Sequence, residues 1–193
     1  MSGIINATNL EVANIKDSTG TNTAMTIASD GGVSGIATTK TEVATTSAAF
    51  QDITIPSTAK VIYVGVMGGF SQATGNANFE IQLGTSGGIV TSGYSSTAVY
   101  LGGGHNSGGA NVTKTDSFVF AHSVATTVGA NGLITIVNMG SNKYCFSSNM
   151  SIGSYLNWGA GFVSLGGAAT TVRIQTDSGY TLDAGSFNVT YIE

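Results

Sequence analysis

The sequence predicts an all-β chain folded as an antiparallel, jelly-roll-like β-sandwich, and three observations carry that prediction. Helical periodicity is nearly missing, because β-branched residues and glycines interrupt almost every window with apolar residues three or four apart. Strict alternation with period two recurs along the chain. Glycine-rich clusters punctuate it about every 8–12 residues, the spacing of sandwiches and jelly rolls rather than of βαβ units.

Taken from the N-terminus, residues 1–44 differ from the rest, with fewer aromatics, more Thr and Asn, and only short apolar pieces such as Ala24-Met25-Thr26-Ile27-Ala28. They are too thin to bury a core. A boundary near 35–45 therefore separates a short extended N-terminal segment, 1–44, from a sandwich, 45–193. The segment is expected to anchor the chain by pairing with another chain or protein, a flexible tail being the alternative. Pro56 cannot donate to a ladder and ends the strand before it. Val61-Ile62-Tyr63-Val64-Gly65-Val66-Met67 is apolar on both faces, as in a central strand covered by a second sheet or a neighbouring subunit. Leu133-Ile134-Thr135-Ile136-Val137 has the same character.

Phe79-Glu80-Ile81-Gln82-Leu83 alternates and reads as half-buried, with Glu80 and Gln82 on the solvent side. Val172-Arg173-Ile174-Gln175 and Phe187-Asn188-Val189-Thr190-Tyr191 share that pattern. Turns are expected at Gly84-Thr85-Ser86-Gly87-Gly88, Gly102-Gly103-Gly104, Gly129-Ala130-Asn131-Gly132 and Asp177-Ser178-Gly179, where glycine reaches positive φ without a steric penalty.

Composition narrows the function. Only 8% of the 193 residues are charged, against roughly 25% in ordinary soluble domains, while 41% are apolar and 28 are Gly. Disorder would need the opposite balance, and no run approaches the ~18 apolar residues of a membrane span, so no membrane insertion is expected. Such a surface, made polar by Thr, Ser, Asn and Gly, suits a densely turned β-protein or one whose flanks are buried against identical copies. The net charge of −4 comes from six basic and ten acidic residues. Lys16, Lys40, Lys60, Lys114, Lys143 and Arg173 are isolated from one another in sequence, so no nucleic-acid partner is expected. The single Cys145 forms no intrachain disulfide, leaving stability to packing or assembly, and it reads as a small buried apolar residue. Met1-Ser2-Gly3-Ile4-Ile5 lacks the pattern of a secretory signal, which implies synthesis in a cytoplasm.

Two stretches resemble a C-terminal β-rich module of tailed-phage virion structural proteins. The opening, Phe50 to Val64, contains Ile55-Pro56-Ser57-Thr58-Ala59-Lys60-Val61-Ile62, similar to the family's "Ile-Pro-Ser-x-x-Lys-x-Ile". The closing, Leu182-Asp183-Ala184-Gly185-Ser186-Phe187-Asn188-Val189-Thr190-Tyr191-Ile192-Glu193, resembles its ending "Asp-Ala-Gly-Ser-Ile-Asn-Ile-x-Tyr-Glu". Between them, Ile81-Gln82-Leu83-Gly84 and Thr91-Ser92-Gly93-Tyr94 match "Gln-Leu-Gly … Thr-Ser-Gly-Tyr", so the likeness covers residues 50–193. Ile15-Lys16-Asp17-Ser18-Thr19-Gly20 and Met25 to Val33 resemble segments of fibre-like proteins of marine phages. The resemblance implies a virion-surface protein assembling as a homotrimer, with the major capsid protein or a tail component as partner. A chain without a long shaft favours a capsid decoration or head-fibre protein. The alternative is a short tail fibre that recognises a host surface glycan or protein receptor.

Chemical motifs are few. His105 and His122 lie in no constellation suited to a Ser, His and acid site, so no catalytic residue is assigned and no enzyme is expected. With Cys145 they lack the spacing of a zinc site. Asp30 and Asp183 stand outside any loop with carboxylates at alternate positions, so neither a metal nor a cofactor is expected. No Gly-rich stretch leads into Lys-Ser or Lys-Thr, and no acidic pair among Asp116, Asp177 and Asp183 is singled out for glycoside hydrolysis. Asn6-Ala7-Thr8, Asn111-Val112-Thr113, Asn149-Met150-Ser151 and Asn188-Val189-Thr190 have the form of glycosylation acceptors, expected by chance in this composition. Aromatics near Gly-rich loops, Tyr94, Tyr100, Tyr144, Phe146, Tyr155 and Trp158, carry more weight. Tyr155, Trp158, His105 and Tyr94 form the candidate receptor or interaction surface, with Tyr155-Leu156-Asn157-Trp158-Gly159 as its best patch; the competing reading puts Trp158 in the core or a subunit interface.

Overall fold

The computed structural model describes residues 14–16, 23–27, 33–34, 37–39, 43–44, 48–72, 77–102, 111–124, 129–176 and 180–192. Every regular element among them is a strand: β1 (Asn14–Lys16), β2 (Thr23–Ile27), β3 (Val33–Ser34), β4 (Ala37–Thr39), β5 (Val43–Ala44), β6 (Phe50–Thr54), β7 (Val61–Gln72), β8 (Ala77–Thr85), β9 (Gly88–Ile89), β10 (Tyr94–Leu101), β11 (Asn111–Lys114), β12 (Phe118–Val124), β13 (Ala130–Asn138), β14 (Lys143–Ile152), β15 (Tyr155–Ser164), β16 (Thr171–Thr176) and β17 (Leu182–Ile192). The chain forms two compact units, residues 1–38 and 39–193. In the first, β1, β2 and β3 make a small antiparallel sheet, so this segment pairs with itself as well as being extended.

The second unit is an antiparallel β-sandwich. Its smaller sheet runs β12-β8-β16-β6, with β9 folded back onto β8. Its larger sheet runs β11-β10-β15-β14-β13-β7-β17, with β5 also on β17. Alternation builds both. In β14, Tyr144, Phe146, Ser148, Met150 and Ile152 face inward while Lys143, Cys145, Ser147, Asn149 and Ser151 face outward. Registered pairing then lines up inward rows, such as Ser96, Gly161, Phe146, Ile136, Ile62 and Tyr191 across six strands. Against them the smaller sheet presents Phe79, Ile81, Leu83, Phe118 and Phe120, all fully buried. Phe118 stacks on Phe146 with centroids 4.8 Å apart and meets Tyr94 edge-to-face at 4.9 Å. Pro56 follows the end of β6, as expected.

Polar side chains of the larger sheet close one side of the sandwich. β12 is an edge strand of the smaller sheet and turns backbone groups away from β8. The Val119 N–H donates to Ser96 Oγ at 2.9 Å, the His122 N–H donates to Asn157 Oδ1 at 2.8 Å, and Ser148 Oγ donates to Phe120 O at 3.2 Å. Ser96, Ser148 and Asn157 are buried at inward positions on β10, β14 and β15, where an apolar side chain would be the default. They satisfy an edge whose orphaned groups would each cost about 1–3 kcal/mol. Gly159 permits this approach: a Cβ there would collide with Val119 O and lie 2.6 Å from Ser148 Oγ.

Two expectations are corrected. β8 is buried on both faces, with Glu80 2% and Gln82 5% exposed, because Lys114 and the Asp116 backbone reach over its outer side. Gly129-Ala130-Asn131-Gly132 is no turn but the opening of β13, where a Cβ at Gly132 would strike the backbone of Asn149 and Met150 on β14. The actual reversal between β13 and β14 lies at Met139 to Asn142, with Gly140, Ser141 and Asn142 at positive φ.

Candidate functional site: the outer face of the larger sheet

The outward rows of the larger sheet follow from the same register. One runs Ser95, Phe162, Cys145, Val137, Val61 and Ile192; the next Thr97, Ala160, Ser147, Thr135, Tyr63 and Thr190; the third Val99, Trp158, Asn149, Leu133, Gly65 and Asn188. None of these residues is charged. Phe162 is 57% exposed, Leu156 51%, Leu133 49%, Trp158 40% and Met67 64%. An uncharged face six strands wide, with large apolar side chains exposed among Ser, Thr and Asn, is unlike ordinary surface, where apolar residues are scattered singly. At Gly65 the missing side chain leaves a depression of about 330 Å3, lined by Val66, Met67, Gly132, Ser186, Phe187 and Asn188.

The opposite side of the sandwich is polar. Arg173 Nε and Nη2 donate to Asp52 Oδ1 and Oδ2 at 2.7 and 2.8 Å, with the guanidinium carbon 3.7 Å from the centre of the Phe50 ring. Glu80 Oε1 lies 2.9 Å from Lys114 Nζ without an aligned hydrogen bond, and Gln175 Nε2 donates to Oε2 at 3.3 Å. That carboxylate is therefore held as a buried ion pair, which explains its tolerance inside the fold. The sequence reading missed it because Glu80 occupies the polar phase of an alternating strand.

The candidate surface of four residues does not hold together. Tyr155 and Trp158 are three apart on one strand and so lie on opposite faces of β15. Trp158 points outward with Leu156, which overturns its placement in the core. Tyr155, 45% exposed, stands at the end of the sandwich edge-to-face with Tyr100 at 5.7 Å; Tyr100 lies 5.4 Å from the ring of His122, whose Nδ1 is 2.6 Å from Asn78 Oδ1. Tyr94 belongs to no surface. It is 3% exposed, its hydroxyl accepts the Leu83 N–H at 2.8 Å, and burial pushes its pKa up to about 12. Tyr144 and Phe146 are buried too, and the Tyr144 hydroxyl accepts the Ala169 N–H at 2.9 Å. Cys145, expected inside, is exposed on the outward phase of β14.

His105, Asp30 and Asp177 lie outside the described residues, as do all of residues 103–110. Asp116 precedes β12 and Asp183 lies in β17, on separate elements. No group of three or more His, Cys, Asp or Glu positioned for a metal occurs among the described residues, and no helix among them is long and apolar enough to cross a membrane. No family model, no curated protein and no solved structure matches the chain.

Proposed function

We propose that this protein is a non-enzymatic structural protein of a tailed-phage particle surface, a capsid decoration or head-fibre protein that works by assembling in several copies, as a trimer. The observation that carries this reading is the charge-free outer face of the larger sheet, with Phe162, Leu156, Trp158 and Met67 exposed on it. Burying apolar area of that kind contributes about 25 cal/mol per Å2 before ordering costs are subtracted. Docking of such a face supports a mechanical role.

Strand order lends support to the jelly-roll-like part of the reading. The chain alternates between sheets from β6 to β8, and β16 returns between β6 and β8. In the facing sheet β13, β14 and β15 fill the interval between β7 and β10. This order fits a jelly roll in which one strand has grown into a three-strand meander, and capsid proteins are among the users of that architecture. The phage setting itself rests on the resemblance of residues 50–193, and residues 1–44 are read as the segment that anchors the chain to the capsid lattice.

Cryo-electron microscopy of the particle tests the location. Many copies on the capsid lattice are expected, and a particle lacking this chain would contradict the proposal. A few copies at the tail would favour receptor binding. That second reading draws on the half-exposed Tyr155, edge-to-face with Tyr100 beside His122, an aromatic end suited to a sugar or protein ligand. Selective binding on a glycan array would support it.

A further inference from the structure

The two outward strands that flank the middle of the larger sheet are opposite in size, position by position. On β15 the outward residues run Phe162, Ala160, Trp158; in the same rows β7 carries Val61, Tyr63, Gly65. The smallest residue of one strand is thus matched to the aromatic of the other, Ala160 with Tyr63 and Gly65 with Trp158. These strands are three positions apart, with β14 and β13 between them.

A rotation of 180° about an axis parallel to the strands, placed between β14 and β13, lays a second copy face to face on the first. Each residue of β15 then falls opposite the residue of β7 in the same row. We propose that the outer face of the larger sheet is a self-association surface in which Trp158 of one copy fills the depression over Gly65 of another, and Tyr63 covers Ala160 of that copy. This deepens the assembly reading above and rests on it. Stacked sheets cross at about 30°, which displaces rows near the axis by only a few Å.

The area is sufficient. Six strands at about 4.8 Å, over about eight residues at about 3.4 Å each, give a footprint of roughly 700–800 Å2. A specific interface covers about 800 Å2 per partner. The depression of about 330 Å3 is roomy enough for an indole ring, and a large aromatic anchored in a pocket is the usual energetic centre of an interface.

Gly65 makes a clean probe, because a Cβ there would meet nothing within 4 Å and its φ is not in the left-handed region. Gly65→Val therefore fills the depression without disturbing the chain's own packing. Trp158 is the sole tryptophan, so its emission reports burial directly. Sedimentation velocity and tryptophan emission of the full chain, followed over a dilution series, form the test. The wild type is expected to assemble with blue-shifted emission that moves red on dilution. Gly65→Val and Trp158→Ala are each expected to weaken association at least about tenfold, while Tyr155→Ala, on the other side of β15, leaves it unchanged. An assembled wild type whose indole emits as if in water, or variants that assemble within twofold of wild type, would overturn the pairing and leave assembly standing. A wild type that is monomeric at micromolar concentration would overturn both.

Discussion

At the scale of residues, the sandwich depends on a few polar atoms placed where apolar ones would be the default. Asn157 Oδ1 is the acceptor for the His122 N–H on the edge strand β12. Asn157→Ala is expected to lower stability by about 1–3 kcal/mol, the cost of an orphaned buried donor, measured by urea unfolding. Tyr94 gives a pH signature. Its folded pKa of about 12 lies above the unfolded value of 10, so the unfolded chain releases its proton first as pH rises. Stability from this group is fully present below pH 10 and is lost as pH climbs through about 12. Tyr94→Phe should flatten that alkaline decline while weakening the protein at neutral pH, because the Leu83 N–H loses its acceptor; identical slopes in the two proteins would contradict this.

The same scale shows what sequence reading could and could not reach. Tyr94, Ser96 and Ala98 share one phase of β10, so the inward placement of Tyr94 was available from alternation alone. So was the split of Tyr155 from Trp158, since an odd separation on a strand always means opposite faces. Treating Tyr155 to Gly159 as one patch ignored that rule. By contrast, nothing local marks Gly65 as a depression; that depends on which residues of β13 and β17 lie beside it.

Elements followed their patterns wherever one face is buried. β16 and β17 alternate as expected, with Val172, Ile174, Phe187, Val189 and Tyr191 inside. β8 did not, because cover on its outer side comes from Lys114 and Asp116, more than thirty residues away in the chain. β12 is the element on which closure turns, and Gly159 on β15 is what lets the sheets meet there. Gly159→Ala is expected to cost more than about 2 kcal/mol, since the added methyl meets backbone and cannot be accommodated by a rotamer change. A melting temperature within a degree or two of wild type would show that β12 can withdraw without loss.

For the whole molecule, the low charge content read from composition has a spatial counterpart. Asp52, Glu80, Lys114 and Arg173 gather on the polar face and edge of the smaller sheet, while the central rows of the larger sheet hold no charge. The doubly apolar stretch at Val61 to Met67 was expected to be covered by a second sheet or a neighbouring subunit. The chain itself covers only the side carrying Ile62, Val64 and Val66, and Met67 stays exposed on the other. That Val61, Tyr63 and Gly65 share outward rows with Phe162, Ala160 and Trp158 was beyond sequence, because strand order and register decide what shares a row.

Thr135 lies near the middle of that face, in the row of Ala160 and Tyr63. The most direct measurement is sedimentation equilibrium of the intact chain beside its Thr135→Lys variant, at micromolar concentration and physiological salt. A wild-type mass that is a whole multiple of the single chain, reduced to one chain by the buried charge, is the outcome predicted for an assembly face. One-chain masses for the wild type, or a variant that assembles as well as the wild type, would contradict it.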